Sequence, residues 1–162
     1  MTIPKLTSTI LALSLFAAVA SAGQPTPAGA KKLDPCALVS KADVQQVVGQ
    51  NVDGPTPNKS NAAVCDFKVG ELGGLGFAAQ QQKSGETPDT TMAGLKKMKI
   101  PVAEAKGIGD RAFFASPGYG MTQLNAYKGS NYIIITLLIP GAAEEKQKAV
   151  AEKLMLKALS KL

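Results

Sequence analysis

Residues 111–139, RAFFASPGYGMTQLNAYKGSNYIIITLLI, divide into three strand-length runs separated by two short turn signals. The runs are 111–116, 120–128 and 131–139. Pro117-Gly118 and Gly129-Ser130 fall between them, where hairpins need special backbone angles. From Ile133 to Ile139 the chain is nearly all apolar and β-branched at several positions, which predicts a central strand covered on both faces. Three antiparallel strands in a row commit the domain to a sheet, and the segments on either side must supply its cover.

Downstream, Pro140-Gly141 breaks the last strand and residues 142–162 form a long helix. Val150, Ala151, Leu154, Met155, Ala158 and Leu162 fall on one side of it, with Glu145, Lys146, Lys153 and Lys157 on the other. Such a helix packs on the sheet. Glu144-Glu145 in its first turn suits the helix dipole rather than an acid–base pair. Upstream, residues 102–106 read as a short extended piece before a turn at Gly107-Ile108-Gly109-Asp110. Residues 88–99 form a helix with Met92, Leu95 and Met98 as its apolar stripe, ended by Ile100-Pro101.

Further back, residues 62–69 and 72–82 read as a hairpin. Cys65 and Phe67 share one face of its first strand, and Val64 and Asp66 the other. Gly70, Gly73, Gly74 and Gly76 weaken the start of the second strand. The prolines and Gly54 in 51–61 argue for a loop. Ser40 is an N-cap with Asp43 at N3, followed by Val44, Val47 and Val48 at helical spacing and by Gly49 as the stop.

The resulting order, α-β-β-α-(β)-β-β-β-α, is an α+β domain. Helices pack on a single, mostly antiparallel sheet of about five strands. The order also falls into two loosely similar halves. The domain occupies residues 34–162. Residues 23–33 are a Pro/Gly/Ala tether. Residues 1–22 have the form of a secretory signal peptide, with Lys5 as the basic region, an apolar run over 6–19, and Ala20-Ser21-Ala22 as the cleavage site. Cleavage after Ala22 leaves a chain without a membrane span.

Composition narrows the chemistry. The net charge of +6 favours anionic surfaces, yet Arg111 is the one arginine and there is no tryptophan. Bidentate phosphate recognition and base stacking are therefore poorly provided for, which argues against nucleic acid. With no histidine, Ser-His-Asp and Cys-His catalysis are excluded. No S-x-x-K, G-x-S-x-G or P-loop pattern occurs. No cofactor is implied, and two cysteines without histidine do not make a tetrahedral metal site. Cys36 and Cys65, an even count in an exported chain, point to one disulfide worth about 3–4 kcal/mol by chain entropy.

The motifs Asp34-Pro35-Cys36-Ala37-Leu38-Val39-Ser40, Cys65-Asp66-Phe67 and Gly107-Ile108-Gly109-Asp110-Arg111-Ala112 precede an Ala/Lys-rich closing helix. Together they resemble a loose group of small secreted or lipid-anchored bacterial proteins of unknown function. That group's pattern runs D-P-C-x-L-(L/V)-(S/T), C-x-(F/Y), G-(I/L)-G-D-x-A. The resemblance implies a Cys36–Cys65 bridge, a one-sheet α+β fold with a PsbP-like arrangement as one candidate topology, and an envelope location. Lacking a lipobox cysteine, this chain fits a free periplasmic or secreted form. The group offers no catalytic residues to carry over.

Four places are candidate contacts. Asp110 and Arg111 follow two glycines that expose backbone N–H groups to an anion, although the same residues suit a tight turn with Asp110 capping it or paired to Arg111. Tyr119 sits in a Gly-rich loop. Lys96 and Lys97 decorate a helix face. Asn58-Lys59-Ser60 matches a glycosylation sequon. The expected function is an exported, non-catalytic protein that binds an envelope protein or an anionic polymer. The alternatives are a small-molecule carrier, with Phe113, Phe114 and Tyr132 lining a pocket between sheet and helices, and a carboxylate-dependent hydrolase.

Overall fold

The computed structural model describes residues 33–162; the signal peptide and most of the tether expected from the sequence lie outside the described residues. The domain is α+β, built on one antiparallel sheet. In chain order the elements are α1 (Pro35–Leu38), α2 (Lys41–Val48), β1 (Val52–Pro57), β2 (Val64–Val69), β3 (Gly73–Gln81), α3 (Pro88–Lys97), β4 (Val102–Ala105), β5 (Arg111–Gly118), β6 (Met121–Lys128), β7 (Asn131–Leu138) and α4 (Glu144–Leu159).

The sheet has seven strands, not about five, in the order β1-β2-β3-β7-β6-β5-β4. The first addition is β1, in the segment expected to be a loop. It pairs with β2 at the sheet's edge and skips register between Asp53 and Thr56. An edge strand tolerates proline because one side of its backbone needs no partner. Short β4 forms the other edge, against β5. Two meanders, β1-β2-β3 and β4-β5-β6-β7, thus meet where β3 pairs with β7.

On one face, alternate residues of the central strands build the core. Phe67, Leu75, Phe77, Leu124, Ile133, Ile135 and Leu137 are all buried beneath α1, α2 and α4, joined by Val44, Ala151, Leu154 and Met155. The capping box Ser40–Asp43 opens α2 and left-handed Gly49 closes it, as the sequence pattern requires. In α4, Val150, Ala151, Leu154, Met155 and Ala158 face inward, whereas Leu162 is 40% exposed beyond the helix end. The Cys36–Cys65 disulfide fastens α1 to β2.

Among the described residues, the opposite face has one helix. Met92 and Leu95 of α3 pack on Phe113, Tyr127 and Tyr132, whose two tyrosine rings stack 4.4 Å apart. Met98, the expected third member of that stripe, is 64% exposed. A ten-residue helix is about 15 Å long and seven strands span about 29 Å, so α3 does not cover its face. Among the described residues, the half over β2, β3 and β7 stays open. The expectation that β7 is covered on both sides is therefore corrected: Ile133, Ile135 and Leu137 are buried, but Ile134, Thr136 and Leu138 are only partly so. An apolar run does not distinguish a covered face from an apolar face left open.

Candidate functional site

The open half of the sheet is a trough enclosing about 610 Å³, within the size range of small-molecule sites. Register explains its shape. Gly74, Gly76 and Ala78 lie side by side with Leu138, Thr136 and Ile134 of β7 and, on the other flank, with Lys68, Asp66 and Val64 of β2. A strip of minimal side chains thus runs between two rows of larger ones. Met121 and Gln123 extend the wall, and Leu72, 81% exposed, stands at one end.

Nothing in the fold demands two of those glycines. At Gly73 an added Cβ would strike the Val69 and Leu138 carbonyls and Pro140, so that glycine is structural. At Gly74 the nearest atom would be 3.9 Å away, and at Gly76 3.6 Å, both ordinary contacts. Neither residue has positive φ. Glycine within a strand costs about 0.5–1 kcal/mol relative to alanine, and in strands it marks places where a ligand or another backbone comes close.

Polar groups enter the trough at two points. From beneath α3 a chain of hydrogen bonds runs along β6 and β7. The Tyr132 hydroxyl donates to Asn125 Oδ1 at 2.7 Å, Asn125 Nδ2 to Gln123 Oε1 at 3.4 Å, and Gln123 Nε2 to Thr136 Oγ1 at 3.2 Å. Burial pushes the Tyr132 phenol well above its ordinary pKa, so it remains a donor. On the other flank Asp66 accepts at Oδ2 from Asn58 Nδ2, 2.7 Å away. Its Oδ1 lies toward Gly76. Asn58 Oδ1 in turn accepts from the backbone N–H groups of Ser60 and Asn61, so the sequon asparagine anchors a turn.

The residues singled out from sequence lie elsewhere. Arg111 is bound by Asp89 at 3.1 Å and Glu104 at 2.9 Å. Asp110 does not pair with it; its carboxylate accepts from Gly129 N at 2.7 Å and ties the turn to the β6–β7 hairpin. In the same turn Ile108 is buried, and a side chain on Gly109 would collide with the Tyr127 carbonyl. Lys96 and Lys97 are exposed on the last turn of α3. Tyr119, 93% exposed, occupies the β5–β6 turn with φ near 55°. Phe113 and Phe114 point to opposite faces: Phe113 packs with Tyr127 and Tyr132 under α3, and Phe114 borders a recess of about 110 Å³ beside Glu144 and Lys148. Sequence reasoning missed Asp66, Thr136 and the role of Gly74 and Gly76. The available signal was the period-two alternation Gly74-x-Gly76-x-Ala78, small residues recurring on one face.

The chain matches none of the protein-family models, curated proteins or solved structures compared with it.

Proposed function

We propose that this is an exported, non-catalytic binding protein that carries a small, largely apolar ligand against its open sheet face. The observation that carries the reading is the glycine pair: Gly74 and Gly76 keep the trough floor bare where a Cβ would fit. The lining around them is largely apolar, with Asp66, Gln123 and Thr136 as convergent polar groups, the usual make-up of a small-molecule site. Export, with cleavage after Ala22 and a periplasmic or secreted destination, fits the Cys36–Cys65 bridge. No helix among the described residues is long and apolar enough to cross a membrane.

Binding of an anionic polymer or an envelope protein is the competing reading, and exposed Lys96 and Lys97 are what speak for it. The guanidinium that would best hold such a polymer, Arg111, is already engaged by two carboxylates. The deciding experiment is a native mass measurement on the protein recovered from its own host's envelope or medium. The carrier reading expects a chain starting at Gly23, two hydrogens short of the reduced mass, with additional small-molecule mass bound. A bare monomer, with salt-sensitive retention on envelope material, would favour the polymer instead.

A further inference from the structure

We infer that the trough selects an amphiphile with a cationic head, a single alkyl chain on the glycine floor and an ammonium group on Asp66. This inference rests on the carrier reading above and names its ligand class. Of the charged side chains on this flank, Asp66 lines the trough beside Gly76, and Lys68 lies exposed one pair further along, opposite Gly74. The Asp66 carboxylate is held in place. Asn58 is fixed by two backbone donors and itself donates to Oδ2, leaving Oδ1 toward Gly76. Thr136, paired with Gly76 from the other side, accepts from Gln123, and its hydroxyl oxygen keeps a second lone pair for an ammonium N–H.

An ammonium group above Gly76 therefore meets an oriented carboxylate, and charge-assisted hydrogen bonds of this kind are the strong ones. An anionic head in the same place meets a like charge. From Gly76 the floor runs about 7 Å along the strand to Gly74, and Leu72, Met121 and Leu138 continue the apolar lining at that end for the rest of an alkyl chain. Lys68, one residue pair from Asp66 on the same face, is exposed and makes no salt bridge to it among the described residues. It is the group an anionic head would use instead.

Displacement of the neutral fluorophore N-phenyl-1-naphthylamine by dodecylamine and by laurate, both below micelle formation, tests the inference. The expected result is displacement by the amine at about tenfold lower concentration or better. Asp66→Asn should erase that preference while the fluorophore still binds, and Asp66→Glu should retain it. If the fluorophore binds but laurate equals or beats the amine, with the advantage lost in Lys68→Gln, the cationic assignment is overturned and the carrier reading stands. If the fluorophore does not bind, or sedimentation shows a dimer that excludes it, both fall.

Discussion

Gln147 is a buried polar side chain in an otherwise apolar face of α4, and it answers three backbone groups. Its Oε1 accepts from Ile139 N at 3.1 Å, and its Nε2 donates to the Gly120 carbonyl at 3.0 Å and the Ala142 carbonyl at 3.4 Å. It thereby joins the end of β7, the β5–β6 turn and the start of α4. Leaving buried partners unpaired is more expensive than the bond itself, so Gln147→Leu should lower stability by about 2–3 kcal/mol in chemical denaturation. At Lys99 the opposite holds. The α3 helix closes in a Schellman arrangement, Lys99 N to Lys96 O and Ile100 N to Leu95 O, with Lys99 at φ 60° where glycine is favoured. Lys99→Gly should raise stability by about 0.5–1 kcal/mol. Neither residue advertises itself in the sequence. A glutamine three residues before Val150 has the look of a surface position, and Ile100-Pro101 carries the visible signal for the helix stop.

Elements with local signals were legible. The α2 helix is the clearest case, because Ser40, Asp43 and Gly49 act within a single helix and its caps. Its tertiary tie was not: Asp43 also binds Lys157 of α4 at 2.9 Å, a contact spanning most of the domain. The Lys157 bond, followed by those of Ser40, holds the Asp43 carboxyl well below its ordinary 3.8. A carboxyl whose folded pKa is depressed contributes stability above its unfolded value and loses it as pH falls through the folded one. Thermal melts should therefore fall more steeply between about pH 5 and pH 2 for the native protein than for Asp43→Asn. At higher pH the substitution should cost about 1–2 kcal/mol, from the capping box and the ion pair. The β1 strand was hidden for a different reason. Its Gly54, Pro55 and Pro57 are loop residues by propensity, and pairing with β2 at a free edge makes them a strand.

At the scale of the whole molecule, the α+β class and the antiparallel sheet follow from the spacing of strands and turns. Which face each helix takes does not follow from it. Only the lie of α3 over Phe113, Tyr127 and Tyr132 leaves the β2–β3–β7 half open, and the site exists because of that placement. The Cys36–Cys65 bridge closes its loop beside the same half, and replacing both cysteines by alanine should cost about 3–4 kcal/mol without filling the trough. The glycine floor is the more incisive test, because it separates folding from binding. Gly76→Val places a β-branched side chain where its Cβ has ordinary contacts, and strand propensity should hold or raise the melting temperature. The most direct measurement pairs that melt with titration of N-phenyl-1-naphthylamine into native and Gly76→Val protein. An unchanged or higher melting temperature with fluorophore binding abolished is the predicted result. Undiminished binding in a well-folded Gly76→Val protein would contradict the account.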